Sequence, residues 1–224
     1  MKFRLVRRVV KSLLVASLAL LTGLAHAGAY EDFFKAIALD DERSVQSLIQ
    51  RGFDPNTIDP NKFHGLFLAL REPSPKVAQV LINAPKIDVN HLTEQGESPL
   101  MMAVFKGQVE LAAQLIKLGA DVNKTGWTPL HYAATSGHTQ LVKILLENHA
   151  YIDSESPNKT TPLMMAAHYG TPGVVKLLLE EGADVSLKNE LGMTAIDFAQ
   201  AARKQDSVDI ISAFIRAQQP KGKW

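Results

Sequence analysis

Seven histidines and a set of evenly spread aspartates are the side chains of this 224-residue sequence best suited to hold a metal or move a proton. A zinc site needs histidines or carboxylates at short spacing, and acid–base catalysis needs groups that converge on one point. His64, His91, His149 and His168 are scattered along the chain without a close ligand spacing. Asp54, Asp88, Asp121, Asp153 and Asp184 recur at a nearly constant step, which marks a repeated turn and not a carboxylate pair. No His-Glu-x-x-His, Gly-x-Ser-x-Gly, glycine-rich phosphate loop or calcium-loop spacing is present. The absence of cysteine removes disulfides, iron–sulfur ligation and thiol catalysis. No catalytic residue, metal site or cofactor is therefore expected. The regular step itself carries the information.

Gly126-Trp127-Thr128-Pro129-Leu130-His131-Tyr132-Ala133-Ala134 is echoed by Gly96-Glu97-Ser98-Pro99-Leu100-Met101-Met102-Ala103 and by Thr160-Thr161-Pro162-Leu163-Met164-Met165-Ala166-Ala167. Gly192-Met193-Thr194-Ala195-Ile196-Asp197-Phe198-Ala199 repeats the pattern without its proline. A second segment recurs behind it, as in Leu115 to Asn123, Leu145 to Asp153 and Leu178 to Val185. One alanine per copy (Ala36, Ala69, Ala103, Ala133, Ala166, Ala199) marks six units. Their expected limits are about 30–61, 62–95, 96–125, 126–158, 159–191 and 192–217, within a domain over 28–217.

This pattern resembles the ankyrin repeat family across nearly all of the chain after residue 27. The resemblance implies an all-α solenoid of about six helix-turn-helix units with short hairpin loops, in which each unit buries its apolar faces against its neighbours. The residues support that reading on their own. Thr128-Pro129 supplies a helix cap with proline in the first turn, where its missing N–H is harmless. Leu141 to Leu146 has helical apolar spacing. Gly52, Gly119 and Gly182 should end second helices in a left-handed conformation, whereas Asn148-His149 fills one such position without glycine. Pro85 should stop its helix early. The hairpin between Ala120 and Gly126 is three residues shorter than its equivalents, which either is a trimmed loop or shapes a partner site. Acidic residues at Glu31 and Asp32 and polar interruptions from Gln200 to Asp209 read as wetted terminal caps. The resemblance also makes His131 a structural hydrogen-bonding residue, and His138 likewise.

In the resembling proteins, function resides in positions the repeat leaves free, facing the concave side. Carried onto this sequence, those are Glu97 with Phe105 and Lys106, Trp127 with Thr135 and Ser136, Thr160 with His168 and Tyr169, and then Met193. Large rings at positions not needed for folding are the usual energetic centres of interfaces. Phe105, Trp127 and Tyr169 should form a contiguous patch, with the ring of Trp127 bared by the short hairpin. Met101, Met102, Met164 and Met165 should pack in the core. The hairpin tips around Glu94, Lys124 and Lys159 are a second candidate surface.

The first 27 residues differ in kind. Lys2, Arg4, Arg7, Arg8 and Lys11 precede an uncharged stretch from Ser12 to Leu24, and Ala25-His26-Ala27 has the form of a cleavage site. The stretch is shorter than the roughly 20 residues that a spanning helix needs. Its removal leaves 19 Lys and Arg against 23 Asp and Glu, a mildly acidic body unsuited to nucleic acid. Residues 218–224 are expected to be a disordered basic tail. These features and the resemblance imply a periplasmic, monomeric protein-binding module with an unidentified protein partner, no nucleic acid and no integral membrane segment after processing. Stress protection is one role the resemblance offers. Neutralising a toxin delivered to the periplasm, as an immunity protein, is the alternative, and association with the envelope is a third. If export is as expected, intact mass measurement on periplasmic material will give Gly28 as the first residue; Met1 on membrane-bound protein would contradict it.

Overall fold

The computed structural model describes residues 28–218, so the expected signal segment 1–27 and residues 219–224 of the expected tail lie outside the described residues. Twelve α-helices and no strands fill the described residues: α1 (28–38), α2 (Glu42–Gln50), α3 (Gly65–Arg71), α4 (Pro75–Ile82), α5 (Pro99–Phe105), α6 (Val109–Lys117), α7 (Pro129–Ser136), α8 (Thr139–Glu147), α9 (Pro162–His168), α10 (Pro172–Glu180), α11 (Ala195–Ala201) and α12 (Gln205–Gln218). They pair as six helix-turn-helix units. The first helices α3, α5, α7, α9 and α11 pack successively in one layer, and the second helices α2, α4, α6, α8, α10 and α12 form another.

Cap chemistry explains where the first helices begin. Ser98, Thr128 and Thr161 are extended N-caps followed by proline, and each side chain accepts from the backbone N–H three residues on. The residue at that third position reaches back to the N–H of the cap. It is a thioether in Met101 and Met164, a ring nitrogen in His131 and a carboxylate in Asp197. Different chemistries thus close the same turn. The second helices end as their sequence requires: Gly119 and Gly182 have φ of +89° and +97°, and His149 adopts +64° in place of glycine. α4 stops at Ile82, before Pro85.

Small residues set the distance between first helices. Ala103, Ala133, Ala134, Ala166, Ala167 and Ala199 are fully buried. A Cβ at Gly170 would collide with the backbone carbonyl of Ala134, so only glycine permits that approach of α9 to α7. The terminal units are less complete: α12 buries only Ser207 and Ile211 and keeps its polar side in solvent.

A ladder of side-chain amides runs along the hairpins between units. Asn56 Oδ1 accepts from the Asp88 N–H at 2.8 Å, and its amide donates to the Lys86 carbonyl at 2.8 Å. Asn90 repeats this with Asp121 and Gly119, at 2.8 and 3.0 Å. Asn123 repeats it with Tyr151 and His149, at 2.8 and 2.7 Å. The next rung is Asp153, which accepts from the Asp184 N–H at 3.0 Å but as a carboxylate has no donor for the Gly182 carbonyl. Burial and the Asp184 charge push the Asp153 carboxyl up. The recurrent aspartates therefore divide. Asp54, Asp88 and Asp184 close local turns onto Asn56, Asn90 and Ser186, whereas Asp153 serves the ladder.

Histidines lock two other junctions. His131 is fully buried, its Nδ1 accepts from the Thr128 N–H at 3.2 Å, and its Nε2–H donates to the Thr160 carbonyl of the next unit at 2.8 Å. His64 is also fully buried and stacks on His91 with ring centroids 5.0 Å apart. Burial lowers both His64 and His131 to about 4.

Three outcomes follow from this packing. Ala133→Asp, which buries an unpaired charge between first helices, should cost several kcal/mol, on the order of 3 or more, in urea unfolding. Asp153→Asn should complete the ladder and raise stability by about 1 kcal/mol; a lowered urea midpoint would contradict that assignment. Because His64 and His131 are neutral when folded but bind protons below the ordinary value of 6.5 when unfolded, their stabilisation is complete above that pH. It is lost as pH falls from 6.5 toward 4, by on the order of 3 kcal/mol each at most.

Candidate functional site

The first-helix layer ends in a row of side chains that packing does not consume. Phe105, the last residue of α5, is 43% exposed, and Tyr169, the C-cap of α9, is 58% exposed. Lys106 is exposed beside Phe105. Glu97 is half-buried and accepts the Tyr132 hydroxyl at 2.8 Å, and the Tyr132 ring meets Phe105 edge-on at 5.9 Å. Burial, with the Glu97 carboxylate, pushes the Tyr132 phenol well above its ordinary range, so it remains a donor. Two units along, His168 meets Phe198 edge-on at 6.0 Å, the same register of contact. His168 also lies against Tyr169 at 4.1 Å, and its Nδ1 is buried without a hydrogen-bond partner among the described residues.

Several expected positions differ from the sequence reading. Thr160 is buried at 2% exposure, because its carbonyl receives His131 and its N–H bonds Ser156 Oγ at 3.0 Å; it is not a contact residue. The short hairpin does not bare Trp127. Its ring is half-buried and edge-on to His131 at 5.2 Å, and Lys124 donates to its carbonyl at 3.0 Å. Among the described residues no ring contact joins Phe105, Trp127 and Tyr169, so the expected continuous patch is replaced by separate aromatic clusters. The Thr135 and Ser136 hydroxyls are turned onto their own helix, donating to the His131 and Tyr132 carbonyls at 2.7 and 2.8 Å. Met193 is half-buried, its backbone N–H and carbonyl both bonded to Asn189. At the hairpins Glu94 and Lys159 are exposed, whereas Lys124 folds back to the Thr125 and Trp127 carbonyls and burial lowers its ammonium.

Tyr132 and Phe198 join the row although the sequence reading left them out. Both directly precede the marker alanine, where Met102 and Met165 stand in other units. A cleft of about 430 Å3 at the other end of the same face is lined by Phe34, Ile37, Pro60, Leu68 and Arg71. A larger one, about 620 Å3, lies between α2 and α4 in the second-helix layer, away from this row. Among the described residues no group of three or more histidines or carboxylates is placed to hold a metal, and no helix is long and apolar enough to cross a membrane. The row offers rings, a fixed carboxylate and hydroxyl-bearing edges, which is the equipment of a contact surface.

A family model described as "Ankyrin repeats (3 copies)" matches residues 33–125, 66–156, 118–189 and 141–219. The chain belongs to the ankyrin repeat family. It is 33% identical over 122 residues to the Transient receptor potential cation channel subfamily A member 1 of Homo sapiens, covering 52% of this chain and 11% of the channel. It is 36% identical over 72 residues to the Notch-regulated ankyrin repeat-containing protein of Homo sapiens, covering 31% of this chain and 63% of that protein. The chain thus spans less than two thirds of either relative. Among solved structures it resembles a chain in the complex of the Bd0816 predatory endopeptidase from Bdellovibrio bacteriovorus with immunity protein Bd3460. The TM-score is 0.71 at 28% identity, covering 81% of this chain and 97% of that one. Ankyrin repeats imply protein binding.

The geometry separates packing rings from free ones. Trp127→Ala should lower thermal stability by removing the ring packed on His131, by about 1–2 kcal/mol. Tyr169→Ala should stay within about 0.5 kcal/mol of the parent. Parallel melts that rank these two variants in the opposite order would reverse the assignment.

Proposed function

We propose that this ankyrin chain is an exported immunity-type protein that binds an endopeptidase through its first-helix row and holds it inactive. The observation that carries this reading is the likeness to a chain of the endopeptidase–immunity complex, which extends over 97% of that chain. A match so complete to a chain that is itself ankyrin-like favours the immunity protein as the counterpart. Export rests on the composition of residues 1–27, and it would place the chain in the periplasm, where an enzyme of that class would have to be restrained. Inhibition asks nothing catalytic of the chain. It requires a rigid surface that fills or covers the partner's site, and stacked helices with little freedom lose little entropy on binding.

The free rings give the contact its expected energetic centre. Truncating a buried interface aromatic costs about 2 kcal/mol, roughly thirtyfold in affinity. Titrating the purified protein into the endopeptidases exported by the same cell should abolish the activity of one of them at a 1:1 molar ratio. Tyr169→Ala should weaken that inhibition about thirtyfold without lowering the melting temperature. Tight binding with full residual activity would leave a binding module and remove the inhibitory role. No effect on any exported endopeptidase would remove the endopeptidase as the partner.

A further inference from the structure

Two neighbouring units solve the surface of the row in different ways. In the second unit the Arg71 guanidinium lies 4.6 Å over the Phe63 ring while its Nε pairs with Glu72 at 3.0 Å. The cation is thus held between a ring and a carboxylate, a geometry that suits the flat, forked guanidinium and not the compact ammonium of lysine. Counted from the marker alanines Ala69 and Ala103, Phe63 corresponds to Glu97 and Arg71 to Phe105. At these two places the third unit sets a carboxylate and a ring where the second sets a ring and the arginine, and Lys106 stands at the place of Glu72.

Neither neighbouring lysine, Lys106 or Lys124, makes an ion pair with Glu97 among the described residues. Among the described residues no ion pair involves Glu97, whose one recorded side-chain partner is the Tyr132 hydroxyl. A carboxylate accepts at both oxygens, so this one is oriented and still has acceptor capacity. Lys124 is turned onto the Thr125 and Trp127 carbonyls, and Lys106 makes no ion pair with Glu97. Phe105 keeps 43% of its surface exposed beside the Tyr132 ring.

We propose that Glu97, Tyr132 and Phe105 form the seat for an arginine side chain of the protein partner. The guanidinium would pair with Glu97 and lie against the rings, as Arg71 pairs with Glu72 while lying over Phe63 within the chain. The seat rests on the reading of the row as a partner surface and names what that surface selects. Tyr132 acts as a positioning residue, since its hydroxyl fixes the carboxylate.

The test uses isotope-labelled protein and two probes, acetyl-Gly-Arg-Gly-amide and the same peptide with citrulline, which keeps the shape and loses the charge. Nuclear magnetic resonance titration should give saturable shifts of the Tyr132 ring and the Glu97 carboxyl with the arginine peptide, at least about fivefold tighter than with citrulline. Glu97→Gln retains an oxygen for the Tyr132 hydroxyl, so it should fold normally and lose the preference for arginine. Equal responses to the two peptides, no response to either, or a preference that survives Glu97→Gln would overturn the seat. Any of these in a protein that still inhibits an endopeptidase through Tyr169 would leave the proposed function standing. An arginine preference in a protein that inhibits none confines the failure to that function.

Discussion

Contact between successive first helices is the constraint on which the rest of the structure depends. A single pair of short helices cannot bury both of its apolar faces, so each unit is folded by its neighbours. The contact is made by alanines with no exposed surface and by Gly170, where a side chain would meet the Ala134 carbonyl. Such close approach leaves no room for variation along the buried edge. It also frees the opposite edge. Positions such as Phe105 and Tyr169 lie at the ends of helices that are already anchored, and their identity has little bearing on the stack. Stability is thereby assigned to one side of these seven- or eight-residue helices, and the other side is left free for the proposed contact.

Polar groups add registration to this packing. The His131 bond to Thr160, the turn-closing residues of the caps and the Asn56–Asn90–Asn123 ladder each satisfy backbone groups that would otherwise be left open at unit boundaries. They fix how far one unit slides along the next, and so set the spacing of the row. Neutral amides and neutral imidazoles suit this task, because they donate and accept together without the cost of burying a charge. Asp153 is the exception, a carboxylate on a rung that wants an amide.

Much of this was legible in the sequence because it is local and repeated. Thr128-Pro129, the marker alanines and Gly119 or Gly182 announce helix starts, close contacts and helix ends by their types alone, and the solenoid follows from their register. The row was less legible, since a one-dimensional pattern says which positions are free but not which side chains turn back on themselves. Thr160 occupies a position expected to face a partner, yet the bond from His131 draws its backbone inward. Tyr132 and Phe198 stand where other units carry methionine, and the methionines read as core. Their surface role depends on the neighbouring Phe105 and His168, which belong to the preceding units. The asparagine ladder spans residues about 30 apart and is visible only when the units are stacked.

The central claim is that the first-helix row, and not the second-helix layer, is the partner surface. Site-specific photo-cross-linking in living cells tests it most directly, with the cross-linking amino acid placed in turn at Tyr169 on the row and at exposed Lys143 on α8. One discrete adduct to a single protein is expected from Tyr169 and none from Lys143. Adducts from Lys143 with none from Tyr169 would place the partner on the opposite layer and contradict it.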